Sequence, residues 1–188
     1  TKTRLEELKH IKQMKLDVKH EKTQVAMLAA LEHEDRKSTW ERPVKMFHNN
    51  SEALYKSPGE LVIDINDKGF KFRVDIERSG SEGIEKMKIF CYDLTMLENS
   101  IGLGRGINFL IHDSLIFDSV DARQRALALE RVAKISDDIG AQYICTLNSD
   151  IVPESEFSEG FEFQKYIRST LSDGSTETSL LGINFERK

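Results

Sequence analysis

The chain is sparing with the residues that staple or interrupt a fold. Its 188 residues include two cysteines, Cys91 and Cys145, which form no CxxC pair. Neither a zinc site nor a disulfide framework is expected, and both thiols fall on apolar faces, as buried free cysteines do in a reducing compartment. There are three prolines, and the first 42 residues contain no proline and no glycine. Nothing in that stretch interrupts a helix. No apolar run approaches the roughly 18–20 residues of a membrane span, so a cytoplasmic protein without membrane partners is expected. The opening TKTRLEELKHIKQ is charged, has no apolar stretch behind it and does not read as a signal peptide. It begins at Thr1 rather than Met, which reads as an excised fragment. The phosphate-loop pattern GxxxxGKS/T is absent. Gly102-Leu103-Gly104-Arg105-Gly106 does not replace it, having no Lys or Ser/Thr and preceding a strand rather than a helix.

The charge is uneven. The formal net charge is -5, yet residues 1–42 hold 10 Lys/Arg against 8 Asp/Glu. The remainder is therefore acidic, which argues against a broad nucleic-acid surface on it. Any DNA contact is assigned to the N-terminal segment or to parts outside this chain.

Residues 1–42 read as a charged helix. Ile11, Met14, Val18, Val25 and Leu28 form a heptad-like stripe, with Glu21 between Val18 and Val25. Two readings fit: the root of a coiled coil, or an amphipathic helix packed on the body. Pro43 is expected to end or kink this helix, and a short helix follows at Asn50–Tyr55, capped by Asn50 or Ser51. The body, 43–188, then changes period. Leu61, Ile63 and Ile65 share one face, and Phe70, Phe72, Val74 and Ile76 share one face opposite Lys71, Arg73, Asp75 and Glu77, around Asp67-Lys68-Gly69, which predicts a hairpin. The loop RSGSEG opens a helix whose inner face is Ile84, Met87, Cys91, Leu94 and Leu97. Ile107–Ile111 and Gln142–Leu147 read as short buried strands. Between them, Asp121 caps a helix that Gly140 stops, with Leu129, Val132, Ser136 and Ile139 on one face. Strand, helix, strand at this spacing is a βαβ unit with parallel strands. Further strands are expected at Tyr166–Leu171 and Gly182–Phe185, around a turn at Ser172–Ser175. The fold class is α/β.

The chemistry concentrates at the strand ends. INFLIHDS carries four apolar residues into His112 and Asp113, and ligands of α/β sheets bind at that edge. A carboxylate there can hold Mg²⁺ beside nucleotide phosphates, although an Asp after a strand also serves as a turn former or cap. The Gly/Ser loop before a long helix presents backbone N–H groups and a helix N-terminus to an anion. Asp118 and Asp121 follow Asp113, and TLNSD places Asn148 at the same sheet edge. His10, His20 and His33 read as solvated, and Trp40 as a packing anchor.

This order of elements resembles the C-terminal lobe of ABC-type ATPase heads in the SMC/RecN group. GINFLIHDSLIFDSVDARQ, QYICTLNSD and LLGINF are similar to the YydD-type family, a domain of unknown function at the C-terminus of SMC-like ATPases in some bacterial mobile-element and defence operons. The resemblance covers about residues 55–188, with the first 42 as a returning coiled-coil strand. It implies ATP and Mg²⁺ as cofactors, a phosphate-loop lobe N-terminal in the same protein as partner, and a homodimer through the heads. Asp113 becomes the Walker B carboxylate. Ser79-Gly80-Ser81-Glu82-Gly83 becomes the signature loop that grips the γ-phosphate held by the opposite subunit, with Lys86 in the first turn of its helix. Asp118, Ser119, Val120 and Asp121 become a D-loop-like segment, and Asn148 takes the place of the switch histidine.

The sequence departs from that pattern. The signature is not LSGG. The catalytic Glu expected after the Walker B Asp is Ser114, whose hydroxyl has no basicity near neutral pH. Asn148 donates hydrogen bonds but does not titrate. Hydrolysis is then slow, or uses Asp118 or His112. Two other readings stand beside half an ATPase: a non-hydrolysing dimerisation or interaction module, and a Mg²⁺-dependent phosphodiesterase built on Asp113, Asp118 and Asp121.

Overall fold

A computed structural model of the chain describes residues 2–35, 37–66, 69–76, 80–172, 175–179 and 181–182. Helix α1 spans Lys2–Asp35. Its heptad positions are bare, with Ile11 49%, Met14 53%, Val18 49%, Val25 66% and Leu28 66% exposed. The stripe is therefore not packed on the body. The foot of α1 meets the rest, where the His33 ring stacks on Trp40 at 5.9 Å and Trp40 in turn meets Phe70 at 5.7 Å.

Helix α2, Lys37–Tyr55, carries Pro43 in its interior. The expectation that Pro43 ends a helix is corrected. Its ring is buried, and the chain continues helically to Tyr55. Packing of Phe47 and Leu54, both fully buried, offsets the backbone donor that proline lacks. The short helix expected at Asn50 is the end of α2, so Asn50 and Ser51 are not caps. They lie inside the helix and are buried. Ser51 Oγ donates back to Phe47 O at 2.8 Å and accepts from the Gly59 N–H at 2.6 Å, which docks the chain where it leaves α2.

Strands β1 (Glu60–Asn66) and β2 (Gly69–Asp75) form the expected antiparallel hairpin, with Leu61 opposite Val74, Ile63 opposite Phe72 and Ile65 opposite Phe70. Asp67 and Lys68 of the turn lie outside the described residues. Helix α3 (Glu82–Gly102) follows, capped by Ser81, whose side chain accepts from the Ile84 N–H. Its inner face, Met87, Phe90, Cys91, Leu94 and Leu97, is the centre of the core. α3 touches α2 and β2 as well as the segments that follow it.

Strand β3 is Phe109–His112 and β4 is Gln142–Cys145, paired in parallel with His112 opposite Cys145. Between them run a 3-10 turn at Ser114–Phe117 and helix α4, Ala122–Ile139. Asp121 caps α4 by accepting from the Gln124 N–H at 2.9 Å, and Gly140 ends it in the left-handed region with φ of 65°. The βαβ unit is thus present, but its strands are not buried on both faces. Phe109 is 54%, Ile111 57% and Ile144 41% exposed. One face of the pair packs on α3 and α4, and nothing among the described residues covers the other.

The tail after β4 is irregular. A 3-10 turn at Phe163–Tyr166 is followed by no strand at Ile167–Leu171, correcting that expectation. β-type residues without a partner strand gain no ladder hydrogen bonds. Asp173, Gly174 and the 183–185 part of the last expected strand lie outside the described residues. The tail is tied down instead by Ser158, whose N–H and Oγ both donate to the Glu130 carboxylate at 2.6 and 2.8 Å, and is held together within itself by Phe157, which stacks on Phe163 and meets Phe161 at a tilt.

Cys91 is fully buried and burial pushes its thiol up to about 12, while burial also raises Cys145. The folded state keeps the Cys91 proton between the ordinary 9.0 and about 12, where an unfolded chain would lose it. Stability therefore falls as pH rises through that window. Iodoacetamide labelling at pH 8, followed by mass spectrometry, should modify Cys145 first and Cys91 only as fast as the protein unfolds. Rapid native labelling of Cys91 would contradict this burial.

Candidate functional site

The parallel register puts the ends of β3 and β4 side by side. The Thr146 N–H donates to His112 O at 3.2 Å, so the residues after each strand emerge at one C-terminal edge. Asp113 stands there with an exposed side chain. Its Oδ1 accepts from the Leu115 N–H at 2.7 Å and caps the 3-10 turn, an engagement that leaves Oδ2 open to solvent or a ligand. Ser114 is the first residue of that turn. Asn148 follows β4 with an exposed side chain that makes no capping bond.

His112 and Asp113 point to opposite sides, because successive strand residues alternate. The His112 ring turns inward and is 9% exposed. One ring nitrogen, Nδ1, lies 3.1 Å from Tyr143 Oη, and Nε2 lies 3.1 Å from Asp93 Oδ2. The Phe90 ring packs beside it at 5.7 Å. Burial raises the Tyr143 phenol above its ordinary value, with the neighbouring Cys145 adding to the effect. His112 therefore ties α3, β3 and β4 together beneath the edge. The sequence marks neither Asp93 nor Tyr143. The available signals are an acid on the rim of the α3 apolar face and the alternation of Tyr143 with Cys145.

A second set of candidates meets at the N-terminus of α3. Gly83 packs so closely on the segment after the 3-10 turn that a Cβ there would lie 2.2 Å from Ser119 O. Ser119 adopts φ of 60°, rare for a residue with a side chain, and its hydroxyl donates to Glu82 Oε2 at 3.0 Å. Ser81, Glu82 and Gly83 are thereby brought against Asp118, Ser119, Val120 and Asp121. Gly80 reverses the chain just before, at φ of 133°. Backbone strain of this kind is retained where the surroundings over-determine it. Lys86 is half-buried one turn along α3, and Asp118 is exposed. The Asp121 carboxylate is engaged as the α4 cap. Ser79 lies outside the described residues.

The donor chemistry bears on a metal. Among the described residues no three His, Cys, Asp or Glu side chains lie together as an ion cage would require. No helix among the described residues is long and apolar enough to cross a membrane.

Comparison with known proteins adds one relationship. Residues 50–185 match the family described as an uncharacterised protein conserved in bacteria (DUF2326). No curated protein matches the chain. The family match begins inside α2 and takes in the hairpin, the βαβ unit, the strand-end residues and the contact of Gly83 with Ser119. Because it covers well over half of the sequence, the chain belongs to this family of uncharacterised bacterial proteins.

Proposed function

We propose that residues 43–188 act as the C-terminal lobe of an SMC/RecN-like ATPase head, completing an ATP–Mg²⁺ site with a phosphate-loop lobe of the same protein. The observation that supports this most is the bare apolar face of the β3–β4 pair beside Asp113. Parallel strands are stable when both faces are covered, and here Phe109, Ile111 and Ile144 lie open. A second lobe that carries the phosphate loop would cover them and bring nucleotide to the strand ends. The bare stripe of α1 supports a returning coiled-coil strand in the same way.

In this reading Asp113 holds Mg²⁺, which neutralises phosphate charge when bound. The N–H groups of the Ser79–Gly83 loop, with Lys86, take the γ-phosphate of ATP in the opposite head of a homodimer. The Asp118–Asp121 segment crosses that dimer, and Asn148 donates a hydrogen bond to the γ-phosphate. Ser114 supplies no base, and His112 is turned inward. Asp118 is exposed and is the remaining candidate base, and with no Glu after Asp113 turnover is slow. Ser114 also favours a second reading, a head that closes on nucleotide without hydrolysing it. The scattered carboxylates do not support the phosphodiesterase reading.

Calorimetric titration of ATP with Mg²⁺ tests the proposal. Binding is expected when the phosphate-loop lobe is present with this chain and not with this chain alone. Asp113→Ala should weaken Mg²⁺-dependent affinity at least tenfold while leaving the circular dichroism spectrum unchanged. Full affinity in that variant would reject the role of Asp113. Ser114→Glu should raise turnover if the missing base is the one defect.

A further inference from the structure

A second site lies on a different part of the fold. α2, the hairpin and the C-terminal half of α3 enclose a cavity of about 300 Å³. None of the residues given a role in the nucleotide site lines it. Its walls are mostly apolar and include three aromatic rings, Trp40, Phe72 and Tyr92. The polar lining is Thr39, Asn99 and Arg105, and no Asp or Glu takes part. Arg105 stands in the glycine-rich turn after α3, between Gly104 at φ of 65° and Gly106 at φ of 80°. Its backbone N–H is bound to Ser100 O at 3.0 Å, while its guanidinium makes no hydrogen bond or ion pair with the described residues. A concave apolar chamber with a few convergent donors and one unmatched cation is the usual form of a small-molecule site.

We propose that this cavity binds a small organic anion with a flat apolar body, of the aromatic carboxylate class. The volume stands at the low end of the roughly 300–1,000 Å³ range of ligand pockets, which limits the guest to one or two rings. Aromatic walls favour a flat guest through offset and edge contacts. The planar guanidinium of Arg105 matches a carboxylate in a two-bond fork, and the Asn99 amide supplies a further donor. Arg105 is exposed, so it stands at the mouth of the cavity, where no acid of the lining competes with a guest carboxylate for it. The site is independent of the ATPase reading, and either can fail without the other.

Trp40 is the sole tryptophan and lines the cavity, so the indole signal comes from a residue in its wall. The probe is 4-iodobenzoate, whose heavy atom quenches an indole in contact with it. Quenching of Trp40 is expected to saturate with probe concentration. Arg105→Ala should weaken the apparent affinity at least tenfold, and neutral 4-iodobenzamide should bind the unaltered protein at least tenfold more weakly than the carboxylate. The amide comparison needs no altered protein, so the proposal stays testable even if the variant misfolds. Quenching that rises linearly without saturation would overturn the site. Equal saturation by the two probes would leave an apolar cleft with no anion recognition, and would overturn it equally.

Discussion

Asn50→Leu is expected to lower the unfolding free energy by about 3 kcal/mol, and the melting temperature by roughly 6–12 °C for a chain of this size. Asn50 is fully buried and joins three helices. Its Nδ2 donates to Glu98 Oε2 at 2.7 Å and to Thr95 Oγ1 at 3.2 Å, both on α3. Its Oδ1 accepts from Nε and Nη2 of Arg131 on α4 at 3.0 and 2.9 Å. Leucine has the same branched outline but bulkier methyl groups, so no cavity forms, and the loss comes from charged groups left without their amide and from overpacking at a fully buried position. Hydrogen bonds to charged groups contribute about 1.5–3 kcal/mol each, and stranding a buried charge costs more than a neutral group. Burial raises the Glu98 carboxyl above its ordinary 4.5, opposed by the Asn50 bond and by Arg131. Removing the amide raises it further. Because a raised carboxyl holds its proton in the folded state, the variant should recover part of its loss as pH falls through that raised value. Chemical denaturation at two pH values measures both effects. A loss under about 1 kcal/mol would mean that Arg131 and Glu98 pair directly once the amide is gone.

That network also marks where sequence reading stops. Period-2 alternation at Leu61–Ile65 and Phe70–Ile76 gave the hairpin register, because a one-residue slip would turn every apolar side chain outward. Asp121 and Gly140 were legible as helix ends, since local hydrogen bonds and backbone freedom decide such positions. Asn50 was misjudged for the same reason. A residue with cap chemistry stands mid-helix because contacts 45 to 81 residues away satisfy it, and no local signal reports those. Pro43 followed the same pattern, with tertiary packing overriding propensity. At the candidate site the chain order identified Asp113 and Asn148 as strand-end neighbours, and the parallel register agrees. The inward turn of His112 follows from alternation along β3, yet its partners Asp93 and Tyr143 lie 19 and 31 residues away and appear only in three dimensions. The exposure of Phe109, Ile111 and Ile144 ran against a pattern that reads as buried strand.

Gly83→Ala should cost about 2 kcal/mol and detach the α3 N-terminus from the segment at Asp118–Asp121. The added Cβ would meet Ser119 O at 2.2 Å and Ser119 C at 2.9 Å, both backbone atoms that no rotamer change can move. Relief requires one segment to shift by on the order of an ångström, in a region where Val120 is buried and the Val120 N–H is bound to Phe117 O at 3.2 Å. Amide exchange at Val120 should accelerate together with the loss of stability. Ser119→Gly provides the contrast. It relieves the positive φ and forfeits only the exposed hydroxyl bond to Glu82, so its effect should lie within about 1 kcal/mol of zero. Combining the two changes should not restore stability, since glycine keeps the carbonyl that the new methyl strikes. Full recovery in the double variant would instead trace the conflict to the Ser119 side chain or its φ. If the ATPase reading holds, Gly83→Ala should also weaken the nucleotide-dependent association of two heads. Asn50→Leu, which lowers stability elsewhere in the core, should leave that association intact below its melting temperature. The pair of variants thus separates damage to the loop contact from damage to the fold.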